Sequence, residues 1–500
     1  MTLRSASSLC TGDADAAAIS AIDPTASPAV QSGAATVCRM LLSIRRAVAA
    51  IAACTLIVQP VLAQSVLRVA ETEALFNDMA APLIKAAGLS PKNVDIVLIG
   101  DPEINAFVAG GQVVYIHSGL IQAADNANEV QGVIAHELGH VAAGDVLRGS
   151  EGVRAATGIT ILSLILGAAA IAAGAGEAGA GILAAGQQAA LGKYLAFSRT
   201  QESGADQSGR RYLETAGISG KGMVSFFQKL RGQEFRLAIA QDNGYDRTHP
   251  LTGDRIQVLR DSMSQNVAWN KPTDPALEAR FQRVKAKLFG YINDPKDTLY
   301  RYPVTDNSVP ARYARAYAWH KSAYPDKAIG EADALIASAP SDPYLQELKG
   351  QILLESGKPN DALPVLRSAV QGTRYNPLIA ALFGHALIAT ENPVNFAEAK
   401  SVLRTAIQRD NQNPFAWYQL GTIYANEGDQ ARASLATAER YNLEGAALPA
   451  FTNARMAMRS LPRGSNDWIR AQDIELVSRA AIENDPRQRQ AAKRLPPTDK

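Results

Sequence analysis

A chain of 500 residues, 47% hydrophobic and 20% charged, is long enough for two or three independently cored domains and has the composition of an ordinary globular protein. Its formal net charge of +2 excludes a broadly basic nucleic-acid surface, which needs a clustered cationic face; one short basic run occurs, at the C-terminus. All three cysteines, Cys10, Cys38 and Cys54, precede the first foldable segment, which excludes a disulfide framework and any thiolate metal site in the remainder of the chain. A metal held by this chain must use imidazole and carboxylate.

Residues 1–39 are rich in Ala, Ser, Thr and Gly without useful periodicity, and read as a non-native or disordered extension with Met40 as the true start. Arg45 and Arg46 then precede an apolar core from Ala47 to Val58, and Val61-Leu62-Ala63 sets a small residue before Gln64. Cytosolic charge, an apolar helix and a small cleavage residue predict a signal peptide over 40–63 and export of the rest. Two other readings stay open: an uncleaved membrane anchor, and a lipoprotein box at Ile51-Ala52-Ala53-Cys54 that tethers the product by lipid.

Val94 to Ile99 and Gln112 to Ile116 are β-branched runs bounded by turn residues, so both are predicted strands, and Gly110-Gly111 suits a tight hairpin connection. The exposed member can take an extended peptide by β-augmentation.

Residues 131–140 read Gln-Gly-Val-Ile-Ala-His-Glu-Leu-Gly-His. In a helix, positions four apart share a face, so His136 and His140 can offer two imidazoles to one ion. Glu137, a step round the same helix, can reach a metal-bound water as general base. A pair of satisfied core histidines is the bland alternative.

Ala155 to Gly176 carries no charge over 22 residues, a length that suggests a membrane span. A single crossing would leave His136 and Glu202 on opposite sides of the bilayer. A return crossing between Glu177 and Lys193 would reach only about 22 Å as a helix. A helical hairpin over the site or against a membrane surface is therefore predicted for 155–192.

A catalytic zinc needs a third protein ligand and an open position. Glu202, in the segment Ser198 to Asp206, supplies the candidate. Asp206, one turn later, can take the outer N–H of a ligating histidine and fix its tautomer. His117, His320 and His385 have no partner spacing and read as structural. Thr248-His249-Pro250 reads as a surface loop on its own.

Together these residues resemble the HtpX and CAAX-endopeptidase-type zinc metalloproteases, and within them the periplasmic, repeat-bearing BepA-like branch that tends outer-membrane β-barrel assembly. The likeness rests on His136-Glu137-Leu138-Gly139-His140, on Ser198-Arg199 leading to Glu202 and Asp206, on Thr248-His249-Pro250 followed by Arg255, and on Ile104 to Gly119. The resemblance implies a gluzincin-type α+β domain with a small β-sheet, spanning 64–300, and one Zn2+ on His136, His140 and Glu202. It implies that His249 occupies or flanks the open position, in a regulatory or oxyanion-stabilising role. It also implies that the strand holding Asn105, Ala106 and Phe107 borders the active site, where substrate can lie.

From Pro310 the pattern changes to paired helices. Gly350, Gly384 and Gly421 recur 34 and 37 residues apart, as do Pro343, Pro377 and Pro414. Trp417, Leu420, Gly421, Tyr424, Gly428 and Ala433 fit the tetratricopeptide (TPR) pattern, and Ala328, Ala362 and Ala369 suit helix contacts. About four units over 305–445 are predicted, making the chain mainly α: a metalloprotease domain followed by an α-helical TPR solenoid. A capping helix around Ile469 to Ile482 and a disordered basic tail from Pro486 complete 446–500. Such a stack offers a concave groove for a client or an assembly machine.

Two functions fit these features. One is a zinc endopeptidase acting on misassembled envelope proteins. The other is a chaperone or adaptor in outer-membrane protein assembly, in which the repeats bind and the protease fold is a scaffold. A scaffold need not keep Glu137, which favours the first.

Overall fold

The structure is a computed structural model that describes residues 65–172, 176–236, 249 and 251–492. The expectations for the extension at 1–39, the signal peptide at 40–63 and the last eight residues of the tail lie outside them.

The two strands read from the sequence form as β2 (Asp95–Gly100) and β4 (Val113–His117), joined in one sheet by β1 (Ser65–Val66) and β3 (Ala106–Ala109). The order is β1-β2-β4-β3, with β2 and β4 parallel and the other pairs antiparallel. Gly110 and Gly111, at φ of 63° and 103°, turn the β3–β4 hairpin through the region that only glycine enters freely. Being last in the order, β3 is an edge strand.

Helix α1 (Ala70–Ala86) and the motif helix α3 (Ala127–Ala143) cover the sheet, after the short α2 (Ser118–Ala123). Met79, Leu83, Leu98, Val114, Ile116, Val133, Ile134 and Leu138 share one core. The Asn126 side chain accepts from Glu129 N at the start of α3, and Gly144 at φ 67° ends it. Every residue from Ala127 to Val141 is buried, so α3 runs through the core rather than over it.

Two long helices come next, α4 (Asp145–Ala172) and α5 (Gly176–Ala216), packed on one another as the predicted hairpin. Ser163 meets Gly186 and Leu183 meets Gly167 along their seam. The rest of the apolar surface is uncovered: Leu162, Leu164, Ile165 and Leu166 are 51–61% exposed. No described helix is long and apolar enough to cross a membrane.

The lower half of α5 returns against α3. A Cβ on Gly139 would stand 2.7 Å from Ala205 Cα, and one on Gly209 would stand 3.1 Å from the Ala135 carbonyl. Two glycines thus let the helix backbones touch, and that approach is what brings Glu202 to the histidines. Helices α6 (Lys221–Arg236), α7 (Gly253–Met263), α8 (Pro275–Ile292) and α9 (Pro295–Arg301) complete this half.

The repeat half is a run of antiparallel helix pairs: α10 (Val309–Lys321) with α11 (Pro325–Ser338), α12 (Pro343–Glu355) with α13 (Pro359–Gly372), α14 (Pro377–Ala389) with α15 (Pro393–Arg409), and α16 (Pro414–Asn426) with α17 (Gln430–Leu443). Proline stands in the first turn of seven of them, where its missing N–H costs nothing. The recurring glycines seat the partner helix: a Cβ on Gly350 or Gly384 would fall within 2.6 Å of Leu366 or Leu403. The chain is mainly α, an α+β domain with a small sheet followed by a helical-repeat solenoid.

Two expectations need correction at the C-terminal end. The single capping helix is a full pair, α18 (Ala447–Ser460) with α19 (Asn466–Asn484), sharing a core through Ala450, Ala454, Ala471 and Ile474. Pro486–Ala492 is helical rather than disordered: Asp485 accepts from the N–H groups of Arg487 and Gln488, and Pro486 opens the turn.

The halves meet through buried charge. Glu71 on α1 is 1% exposed and accepts from Arg283 at 2.5 Å and Lys287 at 3.2 Å on α8, and from the Tyr313 hydroxyl at 2.8 Å on α10. Arg283 also reaches Asp342 at the start of α12, at 2.5 Å.

Candidate metal centre

His136 and His140 stand one turn apart on α3 with Nε2 atoms 3.3 Å from each other. Glu202 faces both: Oε2 lies 3.4 Å from His136 Nε2 and Oε1 lies 3.4 Å from His140 Nε2. Beside them Glu137 is fully buried, and among the described residues neither of its carboxylate oxygens has a hydrogen-bond partner.

His249 is not a surface histidine. It is 5% exposed, with Nδ1 3.0 Å from Glu202 Oε1 and 3.3 Å from His136 Nε2, and Nε2 3.5 Å from Glu137 Oε1. His136, His140, Glu202 and His249 form one buried group whose donor atoms could hold a metal ion.

An outer ring orients the inner one. His136 Nδ1 lies 3.0 Å from Asp206 Oδ1, the partner that the helical spacing predicted. His140 Nδ1 lies 2.8 Å from Asp145 Oδ2, a partner that sequence reasoning missed. Asp145 directly succeeds Gly144, where α3 stops, so an acid at the head of the next helix beside His140 was the available signal. Arg255, matched by resemblance but given no role, donates Nε to Asp206 at 2.8 Å and pairs with Glu202 at 3.0 Å. Phe227 packs edge-on against the His136 ring at 5.5 Å.

These contacts test whether a metal fits. A carboxylate only accepts, so each ring donates Nδ1–H outward and aims Nε2 inward. Two inward lone pairs at 3.3 Å repel unless a proton or a cation lies between them. With Glu202 facing the same point, the imidazole and carboxylate donors suit Zn2+. The residues fit the ion.

The electrostatics agree. Burial by itself lowers the pKa of both rings, but Asp206 and Glu202 more than offset this at His136, and Asp145 and Glu202 lift His140 to about 10. Burial raises both acids, yet the three histidines hold Glu202 below its usual range, and His136 and Arg255 hold Asp206 down. The pocket favours positive charge between carboxylates.

One consequence is a proton count. The His140 ring, lifted to about 10, is protonated at neutral pH without metal, so Zn2+ binding at pH 7 is expected to release at least one proton, with affinity rising with pH toward 10. Titration calorimetry in buffers of different ionisation enthalpy reads this directly, and a buffer-independent heat contradicts it. The sign for the metal-free protein is set by the raised pKa: the stability from His140 is complete below pH 6.5 and lost above about 10. A second consequence is that Asp145→Asn should weaken metal affinity by roughly 10–100-fold. Competition against a chelating dye measures it, and unchanged affinity would leave Asp145 without an orienting role.

The segment expected to take substrate packs on the motif helix. Asn105 and Ala106 are buried, Phe107 stacks on Tyr115 with centroids 5.1 Å apart, and β3 packs against α3. His320 and His385 lie in the repeats, the first bonded to Glu355 at 2.7 Å and the second edge-on to Phe415.

Residues 68–263 match the profile described as Peptidase family M48. The chain is 24% identical over 376 residues to the Beta-barrel assembly-enhancing protease of Escherichia coli (strain K12), covering 74% of this chain and 75% of that one. It is 32% identical over 179 residues to Metalloprotease LoiP of the same organism, covering 35% of this chain and 64% of LoiP. Among solved structures, YrrB, a TPR protein with an unusual peptide-binding site, matches at 19% identity with a TM-score of 0.29, covering 36% of this chain and 92% of its own.

Proposed function

This chain carries a peptidase family M48 domain at residues 68–263, and from that premise we propose that it is a zinc-dependent endopeptidase of the bacterial cell envelope. It cuts misassembled envelope proteins, outer-membrane β-barrel precursors among them, with clients docked by the TPR repeats. The observation that carries this reading is the buried convergence of His136, His140 and Glu202 beside the fully buried Glu137 carboxylate.

His136, His140 and Glu202 hold the ion, which when bound lowers the pKa of a water and polarises the scissile carbonyl. Glu137 takes the proton from that water and delivers it to the departing amine. Asp206 and Asp145 keep the two rings in the Nδ1–H tautomer, and Arg255 holds both Asp206 and Glu202 in line. His249 shares this donor group, and its role would be regulatory, occupying or flanking the position substrate needs, or oxyanion-stabilising. The edge of β3 at Ala106 and Phe107, with Asn105 just before it, pairs with the client backbone, which tolerates many sequences.

Export by the signal peptide at 40–63 sets the work in the periplasm. The uncovered apolar side chains of the 155–192 hairpin support contact with a membrane surface, and the repeat groove supports contact with the β-barrel assembly machinery. No nucleic acid is involved. The chaperone or adaptor reading needs only the repeats and leaves the buried Glu137 unexplained.

The test is cleavage of casein or a β-barrel precursor with and without a chelator. Activity lost to the chelator and restored by Zn2+ is expected. Undiminished cleavage in the chelator ends the reading.

A further inference from the structure

A second group of donors lies outside the catalytic set. His117 closes β4 and is 1% exposed, yet among the described residues neither Nδ1 nor Nε2 has a partner within hydrogen-bond geometry. Buried polar atoms are nearly always satisfied, so an imidazole with both nitrogens unmet calls for a missing partner. Two carboxylates face its Nδ1: Asp101 Oδ1 at 3.8 Å and Glu103 Oε2 at 3.9 Å. Both distances are too long for hydrogen bonds. The three donor atoms lie within 4.8 Å of one another, close enough for small side-chain shifts to bring them onto one ion.

The backbone holds these groups in place. Glu103 N donates to Asp101 Oδ1 at 2.8 Å, while Gly119 N and Ser118 Oγ donate to the Asp101 carbonyl at 2.9 and 2.8 Å. A Cβ on Gly119 would stand 2.1 Å from the Pro102 carbonyl, so the loop lies flat on the start of α2. Burial lowers the His117 pKa despite Asp101, Glu103 and the Glu103 backbone, which each raise it. The carboxylates are 22% and 31% exposed, so water can complete a coordination shell from the solvent side.

We propose that Asp101, Glu103 and His117 bind a second divalent cation, of the borderline class that accepts mixed nitrogen and oxygen donors, such as Zn2+ or Mn2+. The ion ties the β2–β3 loop to the end of β4. It thereby fixes β3, whose Phe107 ring stands edge-on to His117 at 5.8 Å. The site serves the sheet edge and takes no part in the chemistry at Glu137.

Full-length protein is stripped with a chelator, reloaded with Zn2+ or Mn2+, desalted and assayed for metal by mass spectrometry. About two equivalents per chain are expected. His117→Ala should bind one fewer, and so should the milder pair Asp101→Asn with Glu103→Gln, whose partly exposed side chains keep the fold intact if His117→Ala does not. Glu202→Gln should lose the other equivalent. Metal should raise the melting temperature of Glu202→Gln but not of a chain that combines it with the acid pair. A metal content that the acid pair leaves unchanged overturns the proposal. The catalytic reading fails separately, if Glu202→Gln retains every equivalent that the wild type binds.

Discussion

Glu137→Gln will leave the metal bound and lower the rate of peptide cleavage by at least about 10²–10⁴-fold, the contribution of a positioned general base. The substitution keeps the shape of the side chain and removes its ability to take a proton. Glu137 is no member of the donor group formed by His136, His140, Glu202 and His249, so metal content should match the wild type. The same change should not destabilise the fold. A fully buried carboxylate whose two oxygens accept no hydrogen bond among the described residues is costly to desolvate, and the neutral amide is cheaper to bury. The expected pattern is therefore full metal, an equal or higher melting temperature, and lost activity. Wild-type cleavage by Glu137→Gln would show that the proton transfer is assigned to the wrong residue.

The largest stability effect is expected at the junction of the two halves. Glu71→Ala removes the one carboxylate that receives Arg283, Lys287 and Tyr313 together. Arg283 keeps Asp342, but Lys287, 4% exposed, is left with its charge buried. Breaking a buried pair from one side typically costs about 3–5 kcal/mol. Denaturant unfolding of Glu71→Ala should show a loss of that size, and a cycle with Lys287→Met should recover part of it, because the stranded ammonium is then gone. A loss of less than about 1 kcal/mol, the scale of an exposed pair, would mean that the cluster does not hold the halves together.

The sequence was most legible where function and periodicity coincide. His136, Glu137 and His140 lie within five residues of one helix, so their shared face is a matter of helical geometry alone. Glu202 is harder, since it reaches the site only because Gly139 and Gly209 let two helices touch, a contact with no local pattern. Asp206 is legible once Glu202 is taken. Asp145 was missed because its role depends on where α3 stops and α4 begins. His249 reads locally as an exposed loop residue, and only the resemblance to known peptidases gives it a role, because nothing in its neighbours along the chain reports burial. The repeats were legible through their glycines and prolines, which mark close contacts and helix starts. Their last pair was not, since α18 lacks both an opening proline and a side-chain cap. The Glu71 cluster joins residues 212 and 242 positions apart in sequence and leaves no short-range trace.

Joint ligation of one zinc by His136, His140 and Glu202 is tested best by an anomalous difference map from a zinc-loaded crystal, with data collected on both sides of the zinc absorption edge. A peak is expected about 2.0–2.2 Å from His136 Nε2, His140 Nε2 and a Glu202 oxygen. A map with no peak among these three groups, or with a peak that leaves Glu202 outside coordination distance, would refute the shared site.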